Sequence, residues 1–365
     1  MAQALRLAAR ARGRVEPNPM VGAVVVRGGR AVGEGYHKQF GGPHAEVLAL
    51  QDAGRWTRGS TLYVTLEPCC HWGKTPPCTD AIQWAGVKRV VAAMIDPFGK
   101  VRGRGAKILR AAGIEVETGL MQEEARELNA PFIKRLGTGM PYVIAKWAQT
   151  IDGCVATARG ESRWISSEES RADSQKLRGR VDAIIIGLGT AAKDDPLLMA
   201  RPDSSRDIKR LATRIVLDSA CRLPVGGQLV RTVAFAPLMV VHAAKLDAAA
   251  ERRRAALAER GAMTVGIRMD KDGRPGIAAL LKYLGDLEYT NVMVEGGPEI
   301  VAAFLRARCV DEARVYVAPM VMGGPGARRA IGGPDLSRLA DAARMRLVST
   351  EIIGGDAKLR YRIIP

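Results

Sequence analysis

Two stretches, GPHAE (42–46) and EPCCHWGKTPPC (67–78), are the most informative part of this 365-residue sequence. They supply an imidazole, His44, a carboxylate two residues later, Glu46, and two thiols, Cys69 and Cys78. Zinc held by three protein ligands keeps a fourth position for water and lowers the pKa of that water to about 7. The spacing lets the imidazole bind metal while the carboxylate handles protons. The segment therefore predicts a zinc site with its own proton shuttle.

A histidine and two cysteines are more often a structural zinc site, or simply buried side chains, than a catalytic centre. Two features favour catalysis here. Pro68 and Pro77 precede the two thiols, and proline suits the first turn of a helix, where the helix dipole favours thiolate. The nearby chain offers only Cys70 and His71 as further strong ligands. Three ligands with an open fourth position predict a catalytic zinc.

The spacing of the thiols narrows the class of enzyme. Zinc with a separate glutamate is typical of deaminases of nucleobase-like rings. Cytidine deaminases place their thiols as PCxxC, whereas eight residues separate Cys69 from Cys78 here. With PNPMVG (17–22) and GYH (35–37) in order before GPHAE, the pattern resembles the pyrimidine deaminases of riboflavin biosynthesis.

That resemblance implies zinc on His44, Cys69 and Cys78, with Glu46 as the catalytic proton shuttle. Cys70 stands where the family commonly has serine, so we interpret it as a residue that does not bind the metal. The alternative, in which Cys70 replaces Cys69 as a zinc ligand, stays open. The resemblance also implies four residues that contact the pyrimidine ring and phosphoribosyl arm of the substrate: Asn18, His37, His71 and Lys74.

Composition indicates a folded protein of two domains. The length exceeds one ordinary core, and 47% hydrophobic with 25% charged residues is typical of globular chains. The sequence has no run of about 18 apolar residues, so no membrane helix is predicted. Its first residues lack the apolar stretch of a signal peptide. Six cysteines in this length do not form a disulfide framework, and thiolate ligands suit a reducing cytosol. We therefore expect a cytoplasmic protein without a membrane partner.

The formal net charge of +17 raises an alternative, a nucleic-acid-directed zinc deaminase with a basic accessory domain. The basic residues are scattered through both halves, and no basic stretch alternates with aromatic residues as in a stacking platform. A phosphorylated substrate and an anionic cofactor account for much of the cationic excess. We predict no nucleic-acid partner, whereas tight, salt-sensitive RNA binding without NADPH binding would favour the alternative.

Apolar strand patterns alternate with helical patterns through the first half, which predicts a sheet layered by helices. Helices are predicted near 2–12, 44–53, 79–85, 105–112 and 122–136, with strands near 21–26, 61–66, 87–93 and 114–117. The stretch GTG (137–139), followed by Pro141, marks a boundary. The predicted domains are therefore residues 1–140 and 141–365.

The second half has glycine-rich turns after apolar strands, where backbone amides commonly meet phosphates. Each turn alone is usually a mere connection between a strand and a helix. Taken together, six stretches resemble the riboflavin-pathway reductase, a relative of dihydrofolate reductase: TIDG (150–153), WISSEE (164–169), IIIGLGT (184–190), DDPLLMAR (194–201), VMVEGGPE (292–299) and MGGPG (322–326). A Rossmann domain is excluded because no GxGxxG opens this half with an acidic residue about 20 positions later.

The whole chain thus resembles the fused deaminase/reductases of riboflavin biosynthesis. The resemblance implies an α/β protein, with a cytidine-deaminase-like three-layer αβα domain followed by a dihydrofolate-reductase-like α/β domain. It implies Zn²⁺ and NADPH as cofactors and a phosphorylated pyrimidine as substrate. We also expect a homo-oligomer. The implied cofactor contacts are Ala148, Trp164, Thr190, Asp194, Ser219, Gly297 and Pro298.

The implied substrate contacts of the reductase are Lys146, Ser162, Arg178, Leu198, Arg201 and Glu295. Arg178 and Arg201 offer forked, permanently charged donors that suit a ribose phosphate, a surface salt bridge being the alternative for either. The implied function is two consecutive reactions. Zinc-dependent hydrolytic deamination of 2,5-diamino-6-ribosylamino-4(3H)-pyrimidinone 5′-phosphate comes first, and NADPH-dependent reduction of the ribosyl to the ribityl side chain follows.

Overall fold

A computed structural model describes residues 1–200, 210–270 and 273–364, so the predicted substrate residue Arg201 lies outside the described residues. The chain divides into two compact units, Met1–Gly139 and Met140–Pro365. Each unit has its own sheet and its own hydrophobic core. Within the described ranges, no helix combines the length and the apolar character needed to cross a membrane.

The first unit is built on a five-stranded sheet in the order β2-β1-β3-β4-β5. Strand β1 is antiparallel to β2 and β3, while β3, β4 and β5 are parallel to one another. Its elements in chain order are α1 (Ala2–Ala9), β1 (Gly22–Arg27), β2 (Arg30–Tyr36), α2 (Ala45–Ala53), β3 (Thr61–Val64), α3 (Cys78–Trp84), β4 (Arg89–Ala92), α4 (Arg104–Ala111), β5 (Glu115–Thr118), α5 (Gln122–Leu128) and α6 (Ala130–Thr138).

Helices cover both faces of this sheet. Val24 of β1 packs with Leu7 of α1 on one face, whereas its neighbour Val25 joins the core that contains Ala49 of α2. Successive side chains of a strand point to opposite faces, so the two helices lie on opposite sides. The three-layer αβα arrangement is thereby confirmed.

Strand β2 lies directly against α2 because Gly33 and Gly35 have no side chains. A Cβ at Gly35 would overlap the Ala45 carbonyl oxygen and the Ala49 amide nitrogen, and a Cβ at Gly33 would overlap α2 one turn further along. Helix α2 begins immediately after His44, its N-cap residue. The close packing of β2 therefore fixes the helix end that carries His44 and Glu46.

The predicted helix at 122–136 is two helices, α5 and α6, which meet at Asn129. Pro131 lies in the first turn of α6, because proline lacks the N–H that a helix interior requires. The Asn129 side chain accepts a hydrogen bond from the Met20 N–H and donates one to the Met20 carbonyl. A buried tertiary contact therefore occupies the break, and an uninterrupted helix is the wrong prediction.

The second unit contains a nine-stranded sheet in the order β11-β10-β9-β8-β12-β6-β13-β16-β15, with a separate β7–β14 pair. The sheet is parallel from β11 to β13, and the β15–β16 hairpin is antiparallel. Its elements are β6 (Tyr142–Thr150), β7 (Cys154–Ala156), α7 (Glu168–Arg178), β8 (Ala183–Gly187), α8 (Leu188–Asp194), β9 (Thr213–Leu217), α9 (Gln228–Arg231), β10 (Leu238–Ala243), α10 (Ala248–Glu259), β11 (Met263–Ile267), α11 (Ile277–Asp286), β12 (Asn291–Glu295), α12 (Pro298–Arg306), β13 (Glu312–Ala318), β14 (Arg328–Arg329), β15 (Met345–Ile353) and β16 (Asp356–Ile363).

The central strands of this sheet are buried on both faces. Ile185 of β8 packs in a core with Leu281 of α11 and Phe304 of α12, and its neighbours Ile184 and Ile186 are fully buried as well. Continuous apolar runs are typical of parallel strands covered on both sides. Ligands of open α/β sheets bind outside the carboxyl ends of such strands, which is where the glycine turns of this unit lie.

The contact between β2 and α2 generates a stability prediction. We expect Gly35→Ala to lower the free energy of unfolding by about 2 kcal/mol or more, because the added methyl overpacks against the α2 backbone. Urea unfolding followed by circular dichroism measures the change. Gly137→Ala is the control, since beyond the backbone of its own helix turn and its chain neighbours no described atom lies within 4 Å of the Cβ it adds, and alanine favours a helix. Equal stabilities of the two variants would contradict the prediction.

Candidate functional site

The three predicted metal ligands converge in the first unit. One ligand atom from each of His44, Cys69 and Cys78 lies within 4.8 Å of the other two. His44 Nδ1 is 3.2 Å from Cys78 Sγ and 3.4 Å from Cys69 Sγ. The Cys70 thiol lies apart from this group and donates to the Lys100 carbonyl oxygen at 3.8 Å. The geometry thus favours Cys69 over Cys70 as the metal ligand.

This donor set fits zinc in both its chemistry and its spacing. Imidazole nitrogen and thiolate sulfur are preferred zinc ligands, and tetrahedral bonds of ordinary length separate such atoms by about 3.6 Å. Cys78 is the first residue of α3, with Pro77 as its N-cap. Cys69, in contrast, follows β3 in a segment without helical structure. The prediction of a helix after Pro68 is therefore wrong, because only the second thiol opens a helix.

Contacts among the three ligands change the pKa of each of them. The Cys69 sulfur is contacted by the Cys78 thiol, the His44 ring and the Cys78 N–H. These contacts lower the pKa of Cys69 to about 4, although burial opposes the shift. The same contact and burial raise the pKa of Cys78. Hydrogen bonding to Cys69 raises the pKa of His44. Cys69 therefore loses its proton at a lower pH than Cys78 does.

The predicted proton shuttle, Glu46, is buried in the first turn of α2, with 3% of its surface exposed. Burial, followed by the nearby Cys69 sulfur, raises the pKa of Glu46 to about 7. Glu46 is therefore a carboxyl that holds and releases a proton near neutral pH in the unliganded protein, which is what general acid/base catalysis requires.

Two of the four predicted substrate residues lie against the metal group. The Nδ2 atom of Asn18 is 3.3 Å from His37 Nε2, and His37 Nδ1 is 3.0 Å from the Pro43 carbonyl oxygen. The His37 ring stacks edge-on against His44, with ring centroids 5.4 Å apart. Burial lowers the pKa of His37, so its ring favours the neutral form at neutral pH.

The other two predicted residues lie in the 69–78 loop. Lys74 Nζ is 3.9 Å from the centroid of the Phe40 ring, a cation–π contact that holds the ammonium group. The His71 ring lies 5.8 Å from Phe98, and its buried Nδ1 atom has no hydrogen-bond partner within residues 1–200, 210–270 and 273–364. No recorded contact in the described residues joins either side chain to His44.

Sequence reasoning gave no role to Glu67, which begins the cysteine segment. Its buried carboxylate accepts hydrogen bonds from the Asp96, Gly103 and Ala106 N–H groups at 3.2, 2.8 and 3.0 Å. It thereby ties the chain just before Cys69 to the first turn of α4. The only sequence signal for this role was an acidic residue before Pro68. Its hydrogen-bond partners are distant in sequence, so the signal did not identify them.

In the second unit, two glycine turns meet at the carboxyl ends of neighbouring strands. The Gly297 N–H donates to Thr190 Oγ1 at 3.0 Å, which joins the start of α12 to α8. Gly297 is the N-cap of α12 and provides no side-chain cap. Pro298 has no N–H, and the Ile300 N–H donates to the Gly297 carbonyl at 3.2 Å. The positive end of the helix dipole at this position favours an anion such as the pyrophosphate of a dinucleotide. A cleft of about 1800 Å³, lined in part by Gly187, Gly189 and Ser219, reaches this edge.

The remaining predicted cofactor residues are spread around the sheet edge. Ala148 lies on β6 opposite Tyr316 of β13. Trp164 is exposed, and the Arg171 guanidinium lies 4.5 Å from its ring centroid. The Asp194 carbonyl accepts from Arg163 at 3.2 Å, and the Pro298 carbonyl accepts from the Gly332 N–H.

Three predicted substrate residues of the reductase form one partly buried ionic group. Glu295 Oε1 is 3.3 Å from Lys146 Nζ, and Glu295 Oε2 is 2.8 Å from Arg178 Nε. Burial alone would raise the pKa of Glu295, but Arg178 and then Lys146 lower it to about 2. Leu198 is buried and Ser162 is exposed, and no recorded contact in the described part of the chain joins either of them to this group.

Two further contacts of this unit were missed. Asp152 accepts hydrogen bonds from Thr150 Oγ1 and from the N–H groups of Met322 and Gly323, which closes the 322–326 loop over the 150–153 turn. These bonds hold the pKa of the Asp152 carboxyl well below its usual range. Tyr316 is fully buried and donates to Asp173 at 2.6 Å. Both partners are remote in sequence, so no local pattern indicates them.

Comparison with known families gives each unit a match. Residues 1–94 match the family model of the cytidine and deoxycytidylate deaminase zinc-binding region. Residues 141–359 match the model of the RibD C-terminal domain. The class is therefore a zinc-binding deaminase region followed by a reductase domain of riboflavin biosynthesis.

Relatives match the chain over its full length. The riboflavin biosynthesis proteins RibD of Aquifex aeolicus and Escherichia coli are both 41% identical, covering 99% and 98% of this chain and 97% of each relative. A solved RibD structure from Acinetobacter baumannii has a TM-score of 0.84 at 35% identity and covers 100% of this chain and 97% of that one.

A solved structure from Thermotoga maritima has a TM-score of 0.84 at 32% identity, with coverage of 100% and 97%. That protein is described as a diaminohydroxyphosphoribosylaminopyrimidine deaminase/5-amino-6-(5-phosphoribosylamino)uracil reductase. The chain belongs to the RibD family of riboflavin biosynthesis proteins. It is a bifunctional enzyme with a deaminase domain and a reductase domain, and its cofactors are zinc and NADPH.

The ionic group around Glu295 generates a prediction with a defined pH dependence. A carboxylate whose pKa is lowered by folding stabilises the fold above its unfolded pKa, and that stabilisation is lost as the pH falls from about 4.5 towards about 2. We expect Glu295→Gln to lower the free energy of unfolding by about 3 kcal/mol at neutral pH, because two partly buried cations lose their partner. The deficit should narrow on acidification. Urea unfolding from neutral pH down to about pH 3 tests this.

The control is Glu251→Gln, which removes an exposed pair with Arg254 on α10. An exposed pair of this kind contributes about 0.5 kcal/mol or less. A deficit for Glu295→Gln that stays constant with pH would contradict the assignment of the shift to Arg178 and Lys146.

Proposed function

We propose that this chain catalyses two consecutive steps of riboflavin biosynthesis. Residues 1–140 deaminate 2,5-diamino-6-ribosylamino-4(3H)-pyrimidinone 5′-phosphate, and residues 141–365 then reduce the ribosyl side chain to ribityl. The observation that carries the proposal is the convergence of His44, Cys69 and Cys78 beside a buried Glu46, in a chain whose full length matches RibD proteins. The description of the Thermotoga maritima relative supports the choice of substrates.

In the deaminase, water adds to the ring carbon that bears the amino group, and ammonia leaves. Zinc on His44, Cys69 and Cys78 would supply the Lewis acid that makes water a nucleophile at neutral pH. Glu46 takes the proton that the water loses and delivers it to the departing nitrogen, a role that suits its raised pKa. Asn18 and His37 border the metal group and are assigned to bind the pyrimidine ring.

Lys74 and His71 are assigned to the phosphoribosyl arm. The Lys74 ammonium lies above the Phe40 ring, at the side of the 69–78 loop that faces Gly41. A lysine acts as a strong point charge towards phosphate. An arm that carries a phosphate accounts for a cation at this position.

In the reductase, bound NADPH would supply the hydride that converts C1′ of the opened ribosylamino group to the ribityl level, with a proton completing the reduction. The protein holds the two reactants in position. The Lys146–Glu295–Arg178 group is assigned to the substrate, with Ser162, Leu198 and Arg201. Ala148, Trp164, Thr190, Asp194, Ser219, Gly297 and Pro298 are assigned to the cofactor.

The alternative of a nucleic-acid-directed deaminase requires the second half to be a basic accessory domain. That half instead matches the RibD C-terminal domain model over residues 141–359, so no observation favours the alternative. Three further expectations stay predictions: that the chain has no nucleic-acid partner, that it is a homo-oligomer and that it is cytoplasmic.

Replacement of the proton shuttle separates the two activities. We expect Glu46→Gln to reduce deamination by about 100-fold or more, since an amide cannot carry the proton. Reduction of 5-amino-6-(5-phosphoribosylamino)uracil should stay at the wild-type rate, because Glu46 belongs to the first unit only. Ammonia release and NADPH oxidation are the two assays, with the exposed Glu123→Gln as control. Loss of both activities would contradict the assignment of separate sites.

Zinc removal provides a test without substitution. NADPH oxidation is followed by absorbance with either the diamino substrate or its deaminated product, each with and without a zinc chelator. We expect oxidation with both compounds, and chelation should abolish only the reaction that starts from the diamino compound. Oxidation with neither compound would contradict the proposed function, and loss of both on chelation would contradict a metal-independent reductase.

A further inference from the structure

The loop between Cys69 and Cys78 makes a contact with His44 that the proposed reaction does not use. The hydroxyl oxygen of Thr75 lies 3.3 Å from His44 Nε2. On the opposite edge of the ring, His44 Nδ1 lies 3.2 Å from Cys78 Sγ and 3.4 Å from Cys69 Sγ. Each nitrogen of the ring is thus engaged, one by sulfur and the other by a hydroxyl oxygen.

These contacts determine which tautomer binds metal. Imidazole binds a metal through the lone pair of one nitrogen, and the nitrogen beside both sulfurs of the ligand set is Nδ1. The neutral ring then carries its single proton on Nε2, where the Thr75 oxygen accepts it. Metal-binding histidines commonly donate their second N–H to an acceptor that fixes the tautomer and the orientation of the ring.

Resting on the proposed zinc-dependent deamination, we propose that Thr75 is a positioning residue for the zinc ligand His44. Its hydroxyl accepts the Nε2 proton and thereby turns Nδ1 towards Cys69 and Cys78. Thr75 is not assigned to touch the substrate or the metal, and it acts through His44 alone.

The chain around Thr75 is suited to this role because it is stiff. The Thr75 carbonyl accepts a hydrogen bond from the Gly73 N–H at 3.2 Å, and Pro76 and Pro77 follow directly. Proline fixes its own φ and restricts the residue before it to extended conformations. The same short segment then begins α3 with Cys78. The hydroxyl that orients one ligand is therefore fixed relative to another ligand.

The neighbouring histidine does not take the place of Thr75. The His37 ring packs against His44, but its Nε2 lies by Asn18 Nδ2 and its Nδ1 by the Pro43 carbonyl. Both His37 nitrogens are thus engaged elsewhere. Removal of the Thr75 hydroxyl should leave His44 Nε2 to water, and the ring free to turn.

The test compares Thr75→Val, which removes the hydroxyl at nearly constant shape, with Thr75→Ser, which keeps it. Zinc affinity of the full chain is measured by competition with a chromophoric chelator. We expect Thr75→Val to weaken zinc binding by about 10- to 100-fold and Thr75→Ser to stay close to wild type. The visible bands of the cobalt(II)-loaded protein, which report ligand geometry, should change in Thr75→Val and be retained in Thr75→Ser.

Thr57→Val is the matched control, since it alters a buried threonine of the same unit outside the site. The proposal would be overturned if Thr75→Val bound zinc as tightly as Thr57→Val does. It would also be overturned if Thr75→Ser weakened zinc binding as much as Thr75→Val does. If Thr75→Val fails to fold, Thr75→Ala carries the same expectation. Failure of the wild-type chain to bind zinc would overturn the proposed deaminase itself, which is a separate outcome.

Discussion

The deaminase unit depends on one geometric requirement, the meeting of an imidazole nitrogen and two sulfurs from three separate segments. His44 caps α2, Cys69 follows β3, and Cys78 opens α3. The sheet places these segments side by side, and each end is then fixed by a local device. Close packing at Gly35 sets α2, and the Glu67 carboxylate sets the chain before Cys69. Ligand geometry is thus a property of the whole unit rather than of the motif.

The two units use buried glutamates in opposite ways. Burial, and then the nearby Cys69 sulfur, raise the pKa of Glu46 to about 7 against the opposing effect of His44, which leaves Glu46 able to exchange a proton. Glu295 lies between Arg178 and Lys146, which lower its pKa to about 2 and keep it ionised. The same side chain is therefore a proton carrier in one unit and a fixed negative charge in the other. Neighbouring charges, rather than burial, decide between the roles.

Much of this could be predicted from the sequence, and the exceptions share a cause. Apolar periodicity placed most strands, and the His-x-Glu and cysteine segments predicted a group that the structure brings together. The local rule that proline opens a helix failed at Pro68 and held at Pro77, because the chain at Pro68 is held by tertiary bonds to α4. Thr75 and Asp152 make their contacts across long sequence separations, to which no local pattern is sensitive. Pairing between distant polar groups is what the sequence leaves undetermined.

The Lys146–Glu295–Arg178 group also has a consequence for how the chain can change over generations. Loss of Glu295 leaves two cations without their partner, whereas loss of either cation leaves a neutral pair, and exchange of all three for apolar residues of similar volume leaves no charge behind. Their effects on folding are consequently non-additive. Descendants that lose the glutamate first pass through poorly folded intermediates, so Glu295 should persist for as long as both cations are present. Correlated substitution at these sites is therefore the pattern that lineages of this chain should display.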